Sequence, residues 1–98
     1  MTNKQILAVC LIYERKLHEL DETEEWKRNS TLIDANPRLY HVLTMIPRLR
    51  QLVLEHRIEK AFRWLGFIQG VLWTEGIYTI DELKKHNMPE GAEFDAKA

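Results

Sequence analysis

Hydrophobic positions recur along this chain with a helical period. Ile6, Val9, Cys10, Tyr13, Leu17 and Leu20 follow the i, i+3, i+4, i+7 rule, which lines one face of a helix from about Asn3 to Lys27. The polar stretch that closes it, residues 21–28, is interrupted only by Trp26. Asn29-Ser30-Thr31 and Asp34-Ala35-Asn36-Pro37 are turn and cap chemistry, with a short helical turn around Leu32 and Ile33 between them. Either Asn36 or Asp34 serves as N-cap to a second helix, with Pro37 in its first turn. That helix runs to about Glu55 on a stripe of Leu39, Val42, Leu43, Ile46, Leu49 and Val53. Pro47 lies inside the stripe, so a kinked helix is expected, with two shorter helices breaking at Met45–Ile46 as the alternative. The kinked helix is preferred because the stripe keeps its register across the proline.

The third helix, about Arg57 to Glu75, is apolar around most of its circumference, from Ala61 and Phe62 to Leu72 and Trp73. Such a helix is expected to be buried on several sides, centrally or between subunits. Gly66 and Gly70 share one face, and each costs ~1 kcal/mol relative to alanine in a helix. Close approach of another helix or a ligand would offset that cost. Almost no loop separates the second and third helices, which requires a tight antiparallel hairpin. Gly76 ends the third helix in the left-handed conformation. Thr79-Ile80-Asp81-Glu82 is a capping box, with Tyr78 and Leu83 as its hydrophobic staple, and opens a two-turn helix stopped by Asn87 and Pro89. The expected fold is all-α: a long N-terminal helix packed on a kinked antiparallel hairpin, with a short capped C-terminal helix. Residues 1–90 form one domain and 91–98 a tail.

Ninety-eight residues suffice for one domain, but such a chain buries only about two-thirds of its unfolded surface, which favours a homo-oligomer. With 45% hydrophobic and 30% charged residues the chain belongs to the globular class rather than the disordered one. Net charge is −1, which argues against bulk attraction to nucleic acid or acidic membranes. The distribution is uneven: residues 1–36 carry −2, residues 37–70 carry +4 and residues 71–98 carry −3. The basic middle suits a small anion, or simply a solvated helix face. The one cysteine, Cys10, allows no internal disulfide and fits a reducing interior. No signal-peptide pattern opens the chain, and the apolar run from Trp64 to Trp73, interrupted by Gln69, is far short of a bilayer span of ~20 residues.

Catalytic chemistry finds little support. There is no Gly-rich phosphate loop, no Gly-x-Ser-x-Gly and no Cys-x-x-Cys. His18, His41, His56 and His86 lack the spacing that places two metal ligands on one helix face. No enzyme, metal or cofactor is therefore expected. A helix-turn-helix reading of the capped helix fails because Ile80, Asp81 and Glu82 occupy the positions that would meet DNA. The hairpin is the candidate binding surface. Arg57, Lys60, Arg63 and Trp64 fall on adjacent turns of the third helix, and Arg48 and Arg50 lie on its partner. Arginine forks grip phosphate, an indole stacks on a base, and a helix N-terminus favours an anion. Tyr13 and Trp26 are further stacking candidates, although Tyr13 also fits the core. Gly66, Gly70 and Trp73 are the candidate interface.

Glu59-Lys60-Ala61-Phe62-Arg63-Trp64-Leu65-Gly66-Phe67-Ile68-Gln69-Gly70-Val71-Leu72-Trp73, followed by Gly76-Ile77-Tyr78-Thr79-Ile80-Asp81-Glu82-Leu83, resembles small tailed-phage proteins of unassigned function. The basic turn at Arg57, the step Glu59-Lys60-Ala61 and Trp73 are similar to the helical hairpin of phage sponge proteins. Those proteins sequester cyclic-nucleotide immune signals in CBASS and Thoeris defence. The mid-helix Thr-Lys-Leu-Glu-Glu of those hairpins is here Leu65-Gly66-Phe67-Ile68-Gln69. The resemblance implies a phage anti-defence protein of the host cytoplasm that binds a cyclic nucleotide without catalysis. The alternative is a protein-binding inhibitor or assembly factor, with a host protein as partner and the Trp and Arg side chains as its contact surface. Nucleic-acid binding through the basic middle ranks third.

Overall fold

The computed structural model describes residues 2–21 and 36–88. These form an all-α fold of four helices: α1 (Asn3–Asp21), α2 (Pro37–Leu54), α3 (Ile58–Thr74) and α4 (Ile80–Asn87), with no strand among the described residues. The expected extension of the first helix to Lys27, the turn at Leu32 and Ile33, Asp34, Pro89 and the tail at 91–98 lie outside them.

The helix α2 occupies the middle, packed against α1 on one side and α3 on the other. Asn36 and Arg38 at the start of α2 reach Glu75 at the end of α3, and His41 meets Phe67, so the pair runs antiparallel. The short α4 returns to α3 and α1, where the Gln5 side chain donates to the Met88 carbonyl at 2.6 Å. Ile6, Val9, Cys10, Tyr13 and Leu17 bury the predicted stripe of α1, and Leu39, Val42, Ile46, Leu49 and Val53 that of α2. Each fully buried aliphatic side chain stabilises the fold by ~1.5–3 kcal/mol. Pro47 lies within one continuous helix, its side chain exposed, and α2 does not break at Met45–Ile46.

Caps set the helix ends. Thr2 and Gln5 form a capping box on α1, with Gln5 N to Thr2 Oγ1 at 3.1 Å and Thr2 N to Gln5 Oε1 at 2.7 Å. Asn36 Oδ1 accepts from the Leu39 amide at 3.1 Å, making Asn36 the N-cap of α2. Thr79 and Glu82 form the expected reciprocal box on α4. Both α2 and α3 end in a Schellman motif. The His56 and Arg57 amides donate to the Val53 and Leu52 carbonyls, and the Gly76 and Ile77 amides to those of Trp73 and Leu72. The left-handed residue is Gly76 (φ 74°) in one and His56 (φ 60°) in the other.

The third helix departs from expectation. It buries one face, Ala61, Leu65, Ile68, Gln69 and Leu72, while Phe62, Phe67 and Trp73 remain 41%, 53% and 52% exposed. The reason is its place at the edge of the layer: α2 covers one side, and no helix among the described residues packs over the other. No helix among the described residues is long and apolar enough to cross a membrane.

Candidate functional site: the α2–α3 turn

Glu55, His56 and Arg57 connect α2 to α3. The Schellman bonds fold this connection back on α2, so α3 begins at once. Its N-cap is Arg57, whose side chain makes no capping bond. The first intrahelical acceptor is the Arg57 carbonyl, bonded by the Ala61 amide at 2.9 Å. The amides of the first turn therefore have no capping side chain, and the positive end of the helix dipole faces outward.

An open pocket of about 340 Å³ lies at this turn, lined by His56, Arg57, Ile58, Glu59, Lys60 and Arg63. Three of the sequence-predicted residues, Arg57, Lys60 and Arg63, thus share one site. None of them forms an ion pair among the described residues. Lys60 Nζ sits 6.0 Å from the centroid of the half-buried Trp64 ring, at the outer limit of a cation–π contact. Glu59 is the one carboxylate on the pocket wall.

The other candidates are placed elsewhere. Arg50 is committed to α1, its two terminal nitrogens donating to the Glu14 carboxylate at 2.8 and 2.9 Å. That fork is the main reason Glu14 is held below the usual carboxylate range. Arg48 lies 3.5 Å from Glu55, the C-cap residue of its own helix. Tyr13 is 1% exposed, so it belongs to the core and offers no ring face to a ligand. Trp26 lies outside the described residues. Gly66, Gly70 and Trp73 are on the exposed side of α3, and a Cβ at either glycine would meet nothing within 4 Å. Asn87 at the end of α4 shares an open pocket of about 280 Å³ with Phe62, Leu65, Gly66 and Gln69, and no helix among the described residues packs directly on the two glycines.

A second polar cluster joins α1, α3 and α4. Gln69 Nε2 donates to Tyr13 Oη at 3.0 Å and to Asn87 Oδ1 at 2.7 Å, and Asn87 Nδ2 returns a bond to Gln69 Oε1 at 3.0 Å. Because Tyr13 accepts from Gln69, its proton is free for His86 Nδ1, 2.8 Å away. The Tyr13, Tyr78 and His86 rings pack with centroids 4.9–5.4 Å apart. Burial pushes the Tyr13 phenol up to about 12 and the His86 imidazole below its ordinary value. These groups hold α4 in place. The signal in the sequence was Gln69 itself, a lone amide in the apolar run of α3.

Burial also pushes the Cys10 thiol up to about 11, so it is a packed, unreactive group. Among the described residues, no group of three His, Cys, Asp or Glu could hold a metal ion. No protein-family model, curated protein or solved structure matches the chain.

Proposed function

We propose that the protein binds a phosphorylated small molecule at the α2–α3 turn and sequesters it without catalysis. The observation that carries this reading is the convergence of Arg57, Lys60 and Arg63 on one open pocket beside the uncapped start of α3. Cations left without carboxylate partners next to free amides suit a phosphate, which takes bidentate arginine bonds and favours the helix N-terminus. The similarity of Arg57, Glu59-Lys60-Ala61 and Trp73 to phage sponge hairpins supports a cyclic-nucleotide second messenger as ligand. On that reading the protein is a phage anti-defence factor acting in the host cytoplasm. Arg57 and Arg63 supply the forks, Lys60 a point charge, and Trp64 an indole edge beside them.

The test is to purify the protein from cells producing cyclic nucleotides, denature it with heat and analyse the supernatant by mass spectrometry. A released messenger is the expected result. An empty supernatant, with no heat on titration against a cyclic-nucleotide panel, overturns the reading.

A second reading rests on a separate observation. Phe62, Phe67 and Trp73 leave about half of each ring in water on the open side of α3, and such aromatics anchor protein interfaces. A protein-binding inhibitor or assembly factor would present this face. Co-purification of a stoichiometric host protein, lost in Trp73→Ala, distinguishes it from messenger binding.

A further inference from the structure

The open side of α3 has a definite relief. Gly66 and Gly70 form a shallow channel near its middle, with nothing within 4 Å of where their Cβ atoms would be. Phe62 and Trp73 stand on one side of that channel and Phe67 on the other, each 41–53% exposed. Helical periodicity brings Phe62, Gly66 and Trp73 onto one stripe.

We infer that this face is covered by the same face of a second copy, with the two α3 helices antiparallel about a two-fold axis between Gly66 and Gly70. The inference does not rest on the anion-binding reading of the turn. Its first support is self-complementarity, which a two-fold interface requires. Antiparallel pairing about that point sets Gly66 opposite the partner's Gly70, where two backbones can approach closely. It also sets Arg63 opposite the partner's Trp73, an arrangement suited to a cation–π contact.

Charge decides the direction. Arg57, Lys60 and Arg63 stand at the start of α3, with only Glu59 against them. Glu75, Asp81 and Glu82 stand at its end and in the first turn of α4, where Arg38, Lys84 and Lys85 balance them. Antiparallel helices bring each basic start to the partner's charge-balanced end and oppose the helix dipoles. Parallel helices would bring like charges together.

Area sets the strength. Half-exposed rings that bury roughly 150–250 Å² each when covered leave about 300 Å² per copy from Phe62, Phe67 and Trp73. Two copies supply about half of the ~1,200 Å² at the low end of stable interfaces, and flanking side chains such as Arg63 and Thr74 must supply the rest. The association expected is micromolar rather than nanomolar.

Sedimentation equilibrium of the whole chain from micromolar to millimolar concentration tests this. Wild type should show a monomer–dimer equilibrium. Gly66→Leu should weaken it at least tenfold with unchanged far-ultraviolet circular dichroism, since the space around Gly66 is open. As a second measurement, Gly66→Cys mixed with Gly70→Cys should give an intermolecular disulfide on mild oxidation that neither variant forms alone. Cys10 is buried and does not compete. A monomer at every concentration, a dimer unaffected by Gly66→Leu, or a disulfide in either single variant overturns the inference.

Discussion

Gln69 and Asn87 exchange two amide hydrogen bonds, at 2.7 and 3.0 Å, and so join the middle of α3 to the last residue of α4. Gln69 is 8% exposed and uses both of its N–H groups and its carbonyl, whereas Asn87 is exposed. Removing a partner from a buried polar group costs more than replacing that group by an apolar one. Asn87→Ala should therefore cost ~2 kcal/mol and Gln69→Leu only ~1 kcal/mol, the reverse of the order that burial alone suggests. Urea unfolding midpoints of the two variants check the ranking. Equal or inverted costs would mean that water replaces Asn87.

The same cluster gives stability a pH dependence. His86 as a neutral ring accepts a hydrogen bond from the Tyr13 hydroxyl, and burial lowers its pKa in the folded state below 6.5, with Glu82 opposing the shift. The unfolded chain therefore takes up a proton first as pH falls. The contribution is complete above pH 6.5 and is lost as pH falls from there through the folded value. Glu14, Glu75 and Glu82 are lowered by their hydrogen bonds to Arg50, to Asn36 and to the Thr79 amide, so they lose their contributions in a separate window below 4.5. His86→Gln keeps an acceptor for Tyr13 without titrating. Its unfolding midpoint should stay level between pH 7 and 5.5, where that of wild type declines.

Two Schellman motifs with different left-handed residues make a matched pair. Histidine at φ 60° carries a cost that glycine avoids, so His56→Gly should stabilise by ~0.5–1 kcal/mol after the added freedom of the unfolded chain is counted. Gly76→Ala should destabilise by ~1–2 kcal/mol through its backbone angle alone, because a Cβ there meets nothing within 4 Å. Thermal melts of both variants provide the check. A loss on His56→Gly would assign the imidazole a role in the turn pocket.

Local signals carried most of the fold. The apolar stripes of α1 and α2, the cap at Asn36, the glycine stop at Gly76 and the Thr79–Glu82 box are each written within a few residues. The Thr2–Gln5 box is equally local, a threonine followed three residues later by a glutamine. What could not be read locally depends on partners far along the chain. Gln69 finds Tyr13 across 56 residues and Arg50 finds Glu14 across 36. A cluster of basic residues looks the same in sequence whether or not a carboxylate waits opposite. The number of sides from which α3 is covered was likewise illegible, since periodicity records which residues are apolar and not how many neighbours reach them.

Arg50 and Arg57 separate a structural arginine from one left available for binding. Arg50 forms a bidentate pair with Glu14 between α2 and α1, both side chains about one-quarter exposed. Truncating it strands Glu14 beside the core, and Arg50→Ala should cost ~1 kcal/mol after solvent screening. Arg50→Lys should restore only part of that, because one ammonium cannot reproduce the fork. Arg57 is exposed and has no carboxylate partner among the described residues, so Arg57→Ala should leave the unfolding midpoint within ~0.5 kcal/mol of wild type. Its effect should appear in binding: losing one charge-assisted bond to phosphate weakens affinity by ~1.5–3 kcal/mol, roughly tenfold to a hundredfold. Calorimetric titration with a cyclic nucleotide, run beside urea unfolding of both variants, reads the two quantities separately. An Arg57→Ala protein that binds as wild type does would remove the turn from consideration as the anion site, and an Arg50→Ala protein as stable as wild type would make the Glu14 pair incidental.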